Sequence, residues 1–252
     1  MTISEPNNSP KHWVLIRGLI RSRYHWGNFP QTLQSELNSQ SVHSVELKGN
    51  GELYNERTPS MIEEAIDDLR RQLPTDTLSR FGLIGISLGG MLATKWAQLF
   101  PEEVSHLVLI NSSSTLSPFY ERLRPAQYPG LFRSLLTNSV RNKEHFILQA
   151  TSNDAHRRAK VLDEYTEFHR QHPVQLKNFL TQLNLAKQTD FSNIPQMKKL
   201  ILASTADRLV SFKCSQTIAK KWKCAVLLHA SAGHDLVLDD TKWVLNAIKN
   251  SL

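Results

Sequence analysis

The chain has 252 residues, of which 40% are hydrophobic and 21% charged, and its formal net charge is +7. This balance fits one α/β domain with an inserted subdomain, and no apolar segment reaches the roughly 18 residues needed to cross a membrane. The two cysteines are too few for a disulfide framework, and the polar first residues lack a signal-peptide pattern, so we expect a cytoplasmic protein. The basic residues are scattered and form no nucleic-acid-binding motif, which argues against a nucleic-acid partner.

Short apolar segments alternate with helical patterns along the chain. The predicted strands cover residues 12–16, 42–47, 81–86, 104–110, 199–203 and 225–229. Helices are predicted over residues 61–73, 88–100, 211–222 and 237–248, the first with start signals at Ser60 and Glu63. Several strands are apolar throughout, which is typical of strands that are buried on both faces of a parallel sheet. We therefore predict an α/β fold with a mostly parallel, doubly wound sheet.

One long segment breaks this alternation. Residues 113–189 contain helical patterns and no strand-like run, so we predict a helical lid inserted into a core that is formed by residues 1–112 and 190–252. Its aromatic side chains, together with Trp26, either line an apolar acyl pocket or pack in the interior of the lid. These lid aromatics are Phe119, Tyr120, Tyr128 and Phe132.

The third predicted strand leads into the sequence GISLGG, which places Ser87 in a G-x-S-x-G motif between a strand and a helix. A sharp turn at this junction exposes the serine, and the flanking glycines leave room for neighbouring backbone. The helix N-terminus behind the serine favours negative charge. The motif predicts a nucleophile; the alternative is a glycine-rich turn with an inert serine.

A serine hydroxyl needs a base, and in this arrangement the acid and then the histidine follow the serine along the chain. Asp207 comes after the fifth strand and His234 after the sixth, so both lie where the functional loops of such a sheet meet. Asp207 could instead cap the helix that follows it. His229, at the end of its strand, is a weaker candidate for the base, and Asp235 is badly placed to orient the neighbouring His234 ring.

The segments GISLGG, DFSNIPQMKKLILASTADRLV and GHDLVLDD together resemble the α/β-hydrolase superfamily over nearly the whole chain. The resemblance implies Ser87 as nucleophile, His234 as general base and Asp207 as its orienting acid. It also implies an oxyanion hole formed by the backbone N–H groups of Leu19 and Leu88. It implies neither a cofactor nor a metal ion.

The resemblance is greatest to compact bacterial carboxylesterases. We therefore predict a serine hydrolase that cleaves carboxylic esters or thioesters of small molecules, with an anionic or carrier-bound substrate as one form. Acyltransferase, lyase and haloperoxidase activities reuse the same serine turn, and a non-catalytic binding protein of this fold is a further alternative. The sequence leaves the oligomeric state open.

The first strand leads directly into positive charge, because Arg17, Arg21 and Arg23 follow it within a few residues. One hypothesis is that some of Arg17, Arg21 and Arg23 recognise an anionic group of the substrate at the mouth of the site. Arg21 and Arg23, together with Trp26, are the predicted substrate-binding residues. The alternative is that Arg17 is a structural brace, in place of the histidine that the family usually has before the glycine, and that the other two are solvated.

Overall fold

The structure is a computed structural model that describes residues 10–77 and 80–251. Most of the polar first residues lie outside the described part of the chain. The six strands are β1 His12–Ile16, β2 Ser41–Val45, β3 Phe81–Ile86, β4 Val104–Ile110, β5 Lys198–Ser204 and β6 Ala225–His229. The bounds of β1, β3, β4 and β6 are the predicted ones, and those of β2 and β5 differ by one or two residues.

The strands form one parallel sheet in the order β2-β1-β3-β4-β5-β6. Every residue of β3 is buried, because this central strand is covered on both faces. The predicted parallel sheet is therefore confirmed. The strand order reverses between β1 and β3, and a ligand site of such a sheet forms outside the carboxyl ends of the strands near this reversal.

Helices cover both faces of the sheet. One apolar cluster packs α2 Ile62–Arg70, α3 Leu88–Leu99 and α9 Phe212–Trp222 on one face, and a second packs α1 Phe29–Glu36 and α10 Leu236–Ser251 on the other. Ile66 and Leu92 lie in the first cluster, and Leu33 and Leu245 in the second. Burial of this apolar surface on both faces is the main contribution to the stability of the fold.

The described residues between β4 and β5 form helices and no strand, and we call residues 113–189 the lid. Its helices are α4 Phe119–Arg122, α5 Tyr128–Leu136, α6 Val140–Thr151, α7 Ala155–Gln171 and α8 Leu176–Leu185. Of the two alternatives for the lid aromatics, packing in the interior of the lid does not hold for Phe119, Tyr120 and Phe132, which are 65%, 61% and 64% exposed. None of the helices in the described parts of the chain is both long and apolar enough to span a membrane.

Candidate active site

Ser87 occupies the turn between β3 and α3 with φ 55° and ψ −118°. A residue with a side chain adopts this backbone conformation only when its surroundings enforce it. The Ser87 N–H donates to the Ile110 carbonyl at 2.9 Å, and a Cβ added at Gly89 would overlap the Ile16 carbonyl oxygen. The glycine of the motif is therefore needed because α3 starts directly against the end of β1, and the result is a half-buried serine above the sheet.

Asp207 and His234, which follow β5 and β6, form a buried pair. The His234 Nδ1 atom lies 2.7 Å from Asp207 Oδ2, while Asp207 Oδ1 accepts the Leu209 and Val210 N–H groups at 2.7 and 3.0 Å. These backbone donors fix the carboxylate, and the carboxylate fixes the imidazole ring. With Nδ1 donating to Asp207, the other ring nitrogen is free to accept a proton. The structure shows no hydrogen bond between the Ser87 hydroxyl and His234; in enzymes of this type that contact often tightens only when substrate binds.

The turn after β1 passes close to Ser87. A Cβ at Gly18 would lie 3.2 Å from both Ser87 Cβ and the Ile86 carbonyl oxygen, which shows how closely the two backbones pass. Leu88 is the first residue of α3, so its N–H has no partner within the helix. In the described part of the chain, neither the Leu19 nor the Leu88 N–H donates to another backbone or side-chain group. Both donors are thus available near Ser87.

Arg17 is held by internal partners. Its guanidinium forms two bonds with the Asp235 carboxylate, at 3.2 Å between Nη1 and Oδ1 and at 2.5 Å between Nη2 and Oδ2, and it lies 4.9 Å from the Trp26 ring centroid. Burial acts to raise the pKa of Asp235, but the charge and hydrogen bonds of Arg17 outweigh this and hold that pKa below its ordinary value. Since Asp235 follows His234, the pair braces the end of β1 against the histidine loop.

The structure also gives internal partners to the other proposed substrate-binding residues. Arg21 is buried, and its Nη1 atom lies 2.8 Å from Glu144 Oε2 on α6. The alternative that Arg21 is solvated is therefore wrong. Arg23 is exposed and pairs with Glu52, and Trp26 is buried and stacks on Phe29. Direct contact of Arg21, Arg23 or Trp26 with a substrate stays a prediction.

The family model for the alpha/beta hydrolase family matches residues 13–247. The chain belongs to the alpha/beta hydrolase family. A Yersinia enterocolitica protein named as a carbamate hydrolase is 29% identical over 163 residues, which are 63% of this chain and 58% of the relative. A Shewanella woodyi pimeloyl-[acyl-carrier protein] methyl ester esterase is 33% identical over 99 residues, which are 39% of this chain and 35% of the relative. The matched part thus spans less than two thirds of either relative.

A solved structure supports the fold of this alpha/beta hydrolase family member. A serine hydrolase from the polyaromatic-hydrocarbon-degrading bacterium Cycloclasticus zankles superposes with a TM-score of 0.75 at 14% identity, covering 96% of this chain and 90% of that one. In the parts of the chain that the structure describes, no group of three or more His, Cys, Asp or Glu side chains is placed to hold a metal ion.

Asn111 is a site residue that sequence reasoning missed. It follows β4 with φ 45°, and its side chain donates to the His234 carbonyl at 2.8 Å and accepts the Ser204 N–H at 2.8 Å. It therefore ties the histidine loop of this hydrolase-family chain to the ends of β4 and β5. The only available signal was an asparagine at the end of a predicted strand, a position where this residue type tolerates positive φ.

Glu46 is a buried acid that follows β2, near the candidate site. Its Oε2 atom accepts the Arg23 N–H at 3.1 Å, and burial raises the pKa of Glu46 to about 8. Because the folded-state pKa lies above the ordinary value of 4.5, the stability that this group contributes is present below that value and is lost as pH rises through about 8. Glu46→Gln, which carries no charge, should escape this loss.

We expect Glu46→Gln to raise the Tm by about 3–6 °C at pH 8.5 and to change it little at pH 5, which thermal melts at the two pH values measure. The matched control is Glu52→Gln, because Glu52 is largely exposed and pairs with the same arginine. The charge of Glu52 is only a minor cause of the raised Glu46 pKa, so this control should show a much smaller gain at pH 8.5 than Glu46→Gln. Equal Tm differences at both pH values would contradict the assignment to Glu46.

Proposed function

We propose that this protein is a serine hydrolase that cleaves carboxylic esters or thioesters through an acyl-enzyme on Ser87. One observation carries the proposal: the His234 imidazole is fixed through its Nδ1 atom by the buried Asp207 carboxylate at 2.7 Å, on a loop that Asn111 ties to the strand end that binds the Ser87 N–H. Nucleophile, base and orienting acid are the parts that acyl transfer requires. This chemistry needs no cofactor.

In the proposed first step, Ser87 Oγ attacks the carbonyl carbon while His234 Nε2 takes the hydroxyl proton. The oxyanion that forms is held by the N–H groups of Leu19 and Leu88, and each such donor is worth about 3 kcal/mol in acyl-transfer enzymes. The intermediate collapses as His234 gives its proton to the leaving alkoxide or thiolate. Asp207 keeps the ring in the tautomer that these transfers need.

The second step releases the acyl group. A water molecule loses a proton to His234 Nε2 and attacks the acyl-enzyme carbonyl, and the same N–H groups hold the second oxyanion. Collapse of that intermediate expels the Ser87 alkoxide, which takes the proton back from His234. The carboxylic acid and the free serine are the products.

The substrate that we propose is a small-molecule ester or thioester. The name of the Shewanella woodyi relative specifies a methyl ester of an acyl group on a carrier protein, which supports carrier-bound or anionic esters as the second form to test. A cytoplasmic location is part of the proposal, because the chain has two cysteines and both are unpaired.

A panel of esters and thioesters with acyl chains of two to ten carbons tests the proposal. We expect saturable hydrolysis of at least one chain length, with loss of activity after treatment with a sulfonyl fluoride. Parallel reactions with an added alcohol separate hydrolysis from acyl transfer to that alcohol. A folded protein that hydrolyses no member of the panel above the buffer rate would contradict the proposed function.

A further inference from the structure

We propose that Gln182, on lid helix α8, is a positioning residue that holds the turn of residues 18–21 in the conformation that presents the Leu19 N–H to the reaction centre. We call residues 18–21 the oxyanion turn. This inference rests on the proposed function, because it assigns a role to the oxyanion turn. It extends that function by making the lid a part of the catalytic geometry.

The oxyanion turn does not hold its own conformation. It is closed by a hydrogen bond from the Arg21 N–H to the Gly18 carbonyl at 3.2 Å, and its third residue, Ile20, has φ 53°. This region of backbone space favours glycine, and a β-branched residue rarely adopts it. Contacts from outside the turn are therefore needed to keep Ile20 in place.

The closing bond decides where the Leu19 N–H points. The Gly18 carbonyl and the Leu19 N–H belong to the same planar peptide unit and point in opposite directions. While Arg21 N–H holds the Gly18 carbonyl inside the turn, the Leu19 N–H is directed out of it. Any contact that fixes Ile20 and Arg21 thus also fixes the donor of the proposed oxyanion hole.

Two buried amide side chains supply these contacts. Gln182 Oε1 accepts the Ile20 N–H at 3.0 Å, and Asn50 Nδ2 donates to the Arg21 carbonyl at 3.2 Å. The amides also bind each other, because Gln182 Nε2 donates to Asn50 Oδ1 at 2.8 Å. Since Oε1 faces a donor and Nε2 faces an acceptor, only one orientation of the Gln182 amide satisfies both partners.

Gln182 is fully buried and belongs to the lid, whereas the oxyanion turn belongs to the core. The hydrogen bond between Gln182 and Ile20 therefore joins the two parts of the chain at the proposed reaction centre. Displacement of α8 would remove the acceptor and leave a strained residue without its support. The Leu19 N–H therefore keeps its orientation only while α8 is packed against the oxyanion turn.

The lid offers a matched control one helical turn away. Asn178 is also buried on α8, and its amide binds the Thr58 N–H and the Glu56 carbonyl instead of the oxyanion turn. Both side chains thus anchor the same helix to the core. Asn178→Leu should affect anchoring in the same way as Gln182→Leu, without changing the Ile20 hydrogen bond.

For Gln182→Leu we expect kcat to fall ~10- to 100-fold relative to Asn178→Leu, with KM within about twofold, because a misplaced oxyanion donor weakens the transition state rather than ground-state binding. A trifluoromethyl ketone, whose hemiketal oxygen occupies the oxyanion hole, should bind more weakly by the same factor. Adding Ile20→Gly to Gln182→Leu should raise kcat at least about threefold above that of Gln182→Leu alone, since glycine adopts positive φ without strain.

Hydrogen exchange of the Ile20 amide tests the positioning without turnover. The amide should be protected in the unmodified protein and in Asn178→Leu and should exchange faster in Gln182→Leu, or in Gln182→Met if the leucine variant does not fold. Unchanged protection, or a kcat within twofold of that of Asn178→Leu, would overturn the inference. Absence of ester hydrolysis in the unmodified protein would instead count against the proposed function, and the exchange measurement would still decide whether Gln182 positions the turn.

Discussion

Ser87→Ala is expected to lower kcat for every hydrolysed ester by at least about 10⁴-fold while the protein keeps its fold. The alanine side chain has no nucleophilic oxygen. In serine hydrolases, removal of the nucleophilic serine alone lowers kcat about as much as removal of serine, histidine and aspartate together. Ser87 already has positive φ, and alanine meets the same backbone restriction there, so we expect the Tm to change by only a few degrees. Steady-state kinetics and thermal melts measure the two effects.

The matched control for this variant is Ser105→Ala. Ser105 lies near the start of β4, where its hydroxyl donates to the Phe81 carbonyl at 3.0 Å, far along the strands from the carboxyl ends that carry the candidate site. We expect this control to keep kcat within about twofold. Ester turnover by Ser87→Ala above about one hundredth of the original rate would contradict Ser87 as the nucleophile.

Asp207→Asn is expected to lower kcat by about 10⁴-fold, because it places His234 in the wrong tautomer. The Leu209 and Val210 N–H groups bind one oxygen of Asp207, so an asparagine there keeps its carbonyl toward these donors. Its amide nitrogen then faces His234 Nδ1 and donates to it. The ring proton must move to Nε2, and Nε2 can no longer accept the proton of Ser87. Steady-state kinetics over a range of pH measure this loss in kcat.

A second histidine–carboxylate pair provides the control. His229 Nε2 lies 3.2 Å from Asp240 Oδ2, and His229 was the weaker sequence candidate for the base. Asp240→Asn removes the charge from this pair and should leave kcat within about twofold. A loss in Asp240→Asn as large as that in Asp207→Asn would contradict the assignment of His234 as the base.

Strand patterns made most of the fold predictable. The apolar residues of β3 specify a strand that is buried on both faces, and parallel strands bring their carboxyl ends to one edge of the sheet. The strand pattern therefore predicts that the loops of Ser87, Asp207 and His234 meet. The 2.7 Å contact between Asp207 and His234 agrees with that prediction, and their catalytic roles are what the two substitutions test.

Contacts between distant segments could not be predicted, because they leave no local pattern. The Arg21–Glu144 ion pair and the Gln182–Ile20 hydrogen bond join residues 123 and 162 positions apart. The same reason explains the error at the start of α2. The signals at Ser60 and Glu63 suggested a local cap, but the helix begins at Ile62, whose N–H is bound by Gln188 at 2.9 Å.

Labelling with a fluorophosphonate tests the central claim most directly. The probe phosphonylates an activated serine, and digestion followed by mass spectrometry identifies the modified residue. We expect one adduct per chain, located on Ser87, that forms at least about 100-fold more slowly in Asp207→Asn. A folded protein that hydrolyses esters but carries no adduct on Ser87, or carries it on another serine, would contradict the proposed mechanism.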